Sequence, residues 1–162
     1  MYKNNFLYKE IVKINNYYIG LEFRDNYLVR CSIPLPKEEI LKYNFGKINN
    51  KYTDIAKLIY KLYFCEIDDF YVRKHINHKL LVSEFTFKVL NSIKNIKKGK
   101  TITYGVLAKL LNTSPRAVGK ALNKNPLPLI YPCHRVVKKN DLGGYSFGIK
   151  YKIELLKREG AI

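Results

Sequence analysis

Residues 125–137, reading NPLPLIYPCHRVV, limit the fold more than any other stretch of this chain. Three of the six prolines fall in it, at Pro126, Pro128 and Pro132. Proline fixes φ and lacks an amide donor, so the segment must hold its shape without a regular ladder. Val136 and Val137 then favour an extended, buried path. Inside this frame Cys133 stands beside His134. Two readings are open on the residues alone, a tuned nucleophile and a buried structural thiol. The nucleophilic form is the thiolate, and a free thiol titrates near pH ~8.5, so a base or a positive charge is required. His134 is the candidate base. Neighbouring side chains on an extended segment point to opposite faces, so its contact with Cys133 is expected to run through a bridging water. The other ring nitrogen then needs a carboxylate, and Glu159 is the candidate.

Charge narrows the partner. Thirty basic residues against thirteen acidic give 162 residues a formal charge of +17. The excess is spread along the chain and belongs to folded surfaces, since 47% hydrophobic and 14% aromatic residues argue against disorder. A polyanion is the natural partner, nucleic acid ahead of an anionic membrane. A Lys-, Asn-, Ile- and Tyr-rich genome would also give such a composition. Cys31, Cys65 and Cys133 cannot all pair, which fits a reducing cytosol. No apolar run approaches the roughly 20 residues of a membrane span. The polar N-terminus lacks a secretory core. A soluble, cytoplasmic, nucleoid-associated protein with no targeting signal is expected.

The first half reads as a scaffold. Strands are expected at 6–14, 17–24 and 27–33, an antiparallel meander turning at Asn15-Asn16 and Asp25-Asn26. Pro34 and Pro36 close it, and a short helix starts near Lys37. A stronger helix covers 53–64, with Thr53 as N-cap and Ile55, Leu58, Ile59 and Leu62 as its apolar stripe. Asp68 and Asp69 read as surface carboxylates that cap or end a helix, ahead of a metal pair. His75, His78, Cys31 and Cys65 lack the spacing of a zinc finger, so no metal is expected.

The second half opens on Ser83, an N-cap for a helix to about Ile96 marked by Phe85, Val89, Leu90 and Ile93. Lys97 to Lys100 break it. Thr103 caps a short helix with Val106, Leu107, Leu110 and Leu111 facing inward. Ser114 and Pro115 start another over 115–124, a strong initiation signal. Val118 and Leu122 share its inner face, while Ala117, Gly119 and Ala121 allow close approach to another surface. The pair is a helix-turn-helix, and the charge favours DNA as its ligand. Arg116 is best placed to enter a duplex. The loop at 141–148 lacks a phosphate-cradle pattern. Its glycines are read as letting Tyr145 and Phe147 line a base-sized pocket. A last helix over 150–159 ends at Gly160, a suitable C′ glycine. The expected fold is α/β of the α+β kind. A small N-terminal antiparallel sheet with helices (1–78) precedes a mostly helical domain with a winged-helix-like helix-turn-helix (79–162).

Pro132-Cys133-His134-Arg135-Val136-Val137 resembles the active-site signature of the O6-alkylguanine-DNA alkyltransferases. Thr103-Tyr104-Gly105, Arg116-Ala117-Val118-Gly119, Asn125-Pro126, Gly144-Tyr145 and Glu159-Gly160 match the same family in order and approximate spacing. The matched motifs cover 99–160. The resemblance implies irreversible, single-turnover transfer of an alkyl group from O6-alkylguanine in duplex DNA, with O4-methylthymine as a further substrate. No cofactor is implied. Cys133 becomes the acceptor, activated through water by His134, with Glu159 behind it. Tyr104 assists flipping and protonates the leaving base, and Arg116 fills the gap in the stack. Thr103, Ser114, Ala117, Gly119 and Lys120 accompany Arg116 on the minor-groove surface. Asn125 is the hinge, and Tyr145, Ser146, Val136, Pro128 and Lys152 line the pocket. The partner implied is double-stranded DNA containing O6-alkylguanine, bound by a monomer away from any membrane. Phe147 stands where some relatives carry glycine, which implies a narrower pocket mouth and slow reaction with benzyl adducts.

Overall fold

The structure is a computed structural model that describes residues 6–162. Residues 1–5, the start of the expected N-terminal domain and of its polar terminus, lie outside the described residues. The chain forms two compact units. One runs to Leu81 and takes in Pro126–Pro128; the other comprises Val82–Asn125 and Leu129–Ile162. The expected division followed residue 78. Residues past it stay with the first unit because the Lys79 amide donates to the Leu28 carbonyl at 3.0 Å.

The first unit is built on strands β1 (Leu7–Ile14), β2 (Tyr17–Arg24) and β3 (Tyr27–Cys31), antiparallel in the order β1-β2-β3. The turns form where Asn and Asp predict them. Asn15, Asp25 and Asn26 take φ of 53°, 49° and 67°, left-handed values that short polar side chains tolerate. Ile11 pairs with Gly20. Glycine is required there because a Cβ would lie 2.2 Å from the ring of buried Phe45. β3 is two residues shorter than expected, since the Ser32 hydroxyl turns back to accept from the Gly20 amide. Each edge strand of the sheet has a residue bonded on its outer side. On β1, Ile11 donates to Lys47 and accepts from Asn49; on β3, Leu28 donates to Asn77 and accepts from Lys79.

Helix α1 (Lys37–Ile40) is a single turn, and α2 (Thr53–Tyr63) packs on β1 and β2 through Ala56, Ile59, Leu62 and Tyr63. Ile55 and Leu58 of the expected stripe are only half-buried. Thr53 is not the cap: Tyr52 holds that position, and the Thr53 hydroxyl donates to the Asn50 carbonyl. The amides of Lys51 and Tyr52, just ahead of the helix, donate to the carboxylate of fully buried Glu10, at 3.2 and 2.6 Å. A helix the pattern did not reveal, α3 (Asp69–His75), is capped by Asp68, which accepts from the Tyr71 amide. Asp69, expected at the surface, is buried in an ion pair with Arg73 at 2.7 Å.

In the second unit, Ser83 caps α4 (Glu84–Ile93), and Thr86, Val89, Leu90 and Ile93 form its inner face. Phe85 points outward, and the helix stops three residues before the expected end. β4 (Ile102–Thr103) leads directly into α5 (Tyr104–Leu110), with the Thr103 hydroxyl accepting from Val106. Two turns of helix bury only one narrow stripe, Leu107 and Ala108. Val106 and Leu110, expected inside, are 49% and 71% exposed. After a left-handed Asn112 comes α6 (Pro115–Leu122), capped by Ser114 and buried through Val118, Ala121 and Leu122. α5 and α6 pack together as the helix-turn-helix. A 3₁₀ turn (Cys133–Arg135) precedes β5 (Val136–Val137), which pairs parallel with β4, Ile102 opposite Val136. α7 (Ile149–Arg158) closes the chain, with Gly160 at φ 73° behind it. Among the described residues no helix is long and apolar enough to cross a membrane.

Candidate active site

Cys133, His134 and Arg135 do not alternate along an extended strand. Pro132 cannot donate, the Cys133 amide bonds the Tyr131 carbonyl at 2.8 Å, and the Arg135 amide bonds Pro132 at 3.0 Å. The chain therefore coils into one tight turn, and all three side chains are buried. Asn125, three residues past the end of α6, donates from Nδ2 to the Tyr131 carbonyl at 2.8 Å and so fixes the approach to Cys133.

Burial pushes the Cys133 thiol up. A hydrogen bond from the Asn125 side chain, the charge of Lys152 and the amides of Cys133 and His134 act against that rise. Lys152 is fully buried on α7 and donates to the carbonyls of Val136 (2.7 Å) and Gly144 (3.0 Å). Burial lowers its ammonium to about 8, although Cys133 and Asp141 pull the other way. The Nζ lies 5.6 Å from the centre of the Tyr104 ring. Tyr104 at the start of α5 is half-buried, and burial, then Cys133 and Asp141, raise its hydroxyl. It therefore keeps its proton as a donor. Gly143, at φ +70°, lies so close to Tyr104 that a Cβ there would be 2.9 Å from the ring.

His134 Nε2 and Glu159 Oε1 lie 2.8 Å apart, with side chains 2% and 5% exposed. Burial would raise the Glu159 carboxyl, but hydrogen bonds from His134 and Arg135, and their charges, hold it down at about 2. An ionised carboxylate can only accept, so Nε2 donates to Oε1, and Nδ1, shielded from solvent, is the nitrogen left to exchange a proton.

Cys133 opens onto a recess lined by Tyr104, Leu122, Asn123, Gly144, Tyr145 and Ser146, with room for only about 10 Å³. Tyr104, Asn123 and Gly144 also line an open cleft of about 450 Å³, which Pro115, Arg116, Gly119 and Lys138 complete. Arg116 and Lys120 are exposed and Ala117 half-exposed on α6, while Ser114 and Thr103 hold the two caps. The structure thus gathers Cys133, Tyr104, Tyr145 and Ser146 at one recess, and Arg116 and Gly119 at the cleft that shares part of its lining. Val136 spends its carbonyl on Lys152. Pro128 is not brought to the recess: it clusters with the first unit, where its carbonyl lies 4.0 Å from the Cys31 sulfur. Among the described residues no cluster of His, Cys, Asp and Glu could hold a metal ion. Asn123 and Arg135 went unread in the sequence. A cation inside an apolar run was the available signal for Arg135, because a buried charge requires a partner.

Comparison with known proteins follows the same division. Residues 84–161 match the family model described as 6-O-methylguanine DNA methyltransferase, DNA binding domain. Residues 11–78 match the methylated DNA-protein cysteine methyltransferase OGT N-terminal domain. A methylated-DNA–protein-cysteine methyltransferase of Methanocaldococcus jannaschii is 55% identical over 153 residues, covering 92% of each chain. The structure of an O6-methylguanine DNA methyltransferase from Methanococcus jannaschii superposes with a TM-score of 0.76 at 54% identity, over 94% of this chain and 93% of that one. The O6-methylguanine-DNA methyltransferase of Pyrococcus kodakaraensis gives 0.75 at 30% identity, over 96% and 99%.

Proposed function

Because the chain belongs to the methylated-DNA–protein-cysteine methyltransferase family, which repairs DNA by moving an alkyl group onto the protein, we propose that Cys133 is its acceptor. The substrate is O6-alkylguanine in duplex DNA, with O4-methylthymine as a second one. The helix-turn-helix enters the minor groove, where the small Ala117 and Gly119 permit close approach, and the +17 charge supplies the phosphate attraction. Extruding the base costs a few kcal/mol. Arg116 fills the gap left in the stack and offsets part of that cost. The recess at Cys133 has the space of about one water. Entry of a base therefore requires the lining of that recess, Gly144, Tyr145 and Ser146 among it, to move.

The chemistry balances within this chain. His134 Nδ1 takes the thiol proton through a water, and Glu159 steadies the imidazolium that results. The sulfur attacks the alkyl carbon in line, an S–C bond forms, and the C–O6 bond breaks with its electron pair going to the purine. Tyr104 protonates the departing base and regains its proton from solvent. The ammonium of Lys152 stabilises the thiolate while it exists. Each molecule acts once, as a monomer in the nucleoid-bearing cytoplasm.

The observation that carries this reading is His134, next to Cys133 in one buried turn and paired at 2.8 Å with the Glu159 carboxylate. The test is incubation with a duplex carrying one O6-methylguanine, followed by peptide mapping by mass spectrometry. One methyl group on Cys133 and restored guanine are expected. Stoichiometric methylation of a Cys133→Ser variant would refute the assignment. Arg116→Ala should slow repair in duplex far more than reaction with a free modified base; equal slowing would argue against insertion.

A further inference from the structure

Arg135 is the largest of the fully buried side chains, and it has no part in the transfer described above. Its Nε donates to both oxygens of Glu159 at 3.2 and 3.1 Å, its Nη2 to Oε1 at 2.8 Å, and its Nη1 to the Ile96 carbonyl at 2.6 Å. Oε1, the oxygen that holds His134, is therefore the one the guanidinium grips most closely. Oε2 also accepts from the Gly99 amide at 3.4 Å. Burying a second charge beside the carboxylate is expensive, and a carboxylate alone suffices to orient an imidazole. An uncompensated buried carboxylate has a second effect: it holds its histidine as the imidazolium, which cannot accept a proton.

We propose that Arg135 is a positioning residue that acts through Glu159, aiming Oε1 at His134 and cancelling enough carboxylate charge to keep His134 neutral before reaction. The planar fork anchors the carboxylate to the backbone behind α4 through Ile96. The guanidinium charge sets how tightly His134 holds a proton. Several other ionisable groups on the elements packed against this turn are engaged elsewhere or exposed. On α7, Lys152 serves the carbonyls of Val136 and Gly144, and Glu154 pairs with Arg158. On α4, Glu84 pairs with Lys88 in solvent. Lys97, Lys98 and Lys100 of the following loop are exposed.

The inference rests on His134 being the base for Cys133, and the experiment separates the two. Single-turnover transfer is measured against pH alongside an NMR titration of His134, one of only three histidines. In the wild type the acid limb of the rate profile should coincide with the His134 titration; if it does not, the reading of His134 as base fails. In Arg135→Met both should move together to higher pH by about one unit. An acid limb that still tracks His134 but stays in place in folded Arg135→Met overturns the role of Arg135 alone. Should that variant not fold, Arg135→Lys decides. Lysine restores the charge without the fork, so the titration should remain within about 0.3 units while the plateau rate falls about tenfold. A full-unit displacement, or an undiminished plateau, in folded Arg135→Lys overturns the proposal.

Discussion

Lys152→Met removes an ammonium that the fold buries completely between two carbonyls, and the size of the effect depends on pH. The ordinary lysine value of 10.5 falls to about 8 in the folded protein because of burial. Below pH 8 both the folded and unfolded chains hold the proton, and the folded state carries the full burial penalty. Between 8 and 10.5 the unfolded chain keeps a proton that the folded chain has released, so wild-type stability rises with pH. At about 1.4 kcal/mol per pH unit, the gain over that window is on the order of 3 kcal/mol. The methionine variant has no such group and gains nothing there. At pH 7 it escapes the penalty but strips the donor from two carbonyls, a loss of about 1–3 kcal/mol, so the two proteins should be nearly matched. At pH 10 the variant should be the less stable by about 3 kcal/mol. Urea denaturation followed by circular dichroism at pH 7, 8, 9 and 10 measures the difference, in which the titrations common to both proteins cancel. A difference that stays flat to about 0.5 kcal/mol across the series would refute the buried-ammonium argument. Transfer by the variant should also slow at pH 7, because the thiolate loses the charge of Lys152.

Three further outcomes follow from the packing. Gly143→Ala forces a side chain into a left-handed position and against the Tyr104 ring; single-turnover repair in duplex should fall about tenfold and stability by about 1–2 kcal/mol. Glu10→Ala orphans the amides of Lys51 and Tyr52, so the urea midpoint should drop by an amount worth about 2–4 kcal/mol, while the rate per folded molecule stays within about twofold. Phe147, whose ring centre lies 6.1 Å from that of Tyr145, should make O6-benzylguanine a slow substrate; Phe147→Gly should speed benzyl transfer relative to methyl, and an unchanged ratio would remove Phe147 from the pocket mouth.

Where a feature depends on residues adjacent in the chain, it was legible before any coordinates. The Asn and Asp turns, the caps at Ser83, Thr103 and Ser114, and the proline-set approach to Cys133 are of this kind. Features set by distant partners were not. Thr53 had every local qualification as a cap, but Glu10, over forty residues earlier, holds the amides at that helix start. Asp69 was assigned to the surface because its partner Arg73 lies within a helix too short and polar to show a period. Val106 and Leu110 obeyed helical spacing, yet a two-turn helix has too small a buried face to use both stripes. At the site, the motif supplied Cys133, His134 and Glu159. The charge that Arg135 brings to that trio became visible only when the turn placed it on Glu159, 24 residues away.

The partly occupied edges of the N-terminal sheet matter for a protein that is used up by its own reaction. Repair capacity equals the number of unspent molecules, so copies must accumulate and wait. Long Tyr- and Ile-rich strands at such concentrations invite edge-to-edge stacking into fibrils. With Ile11 and Leu28 already bonded on their outer sides, each edge strand presents an interrupted ladder to a second chain. The part of the molecule farthest from the chemistry in sequence thus preserves the stock on which that chemistry draws.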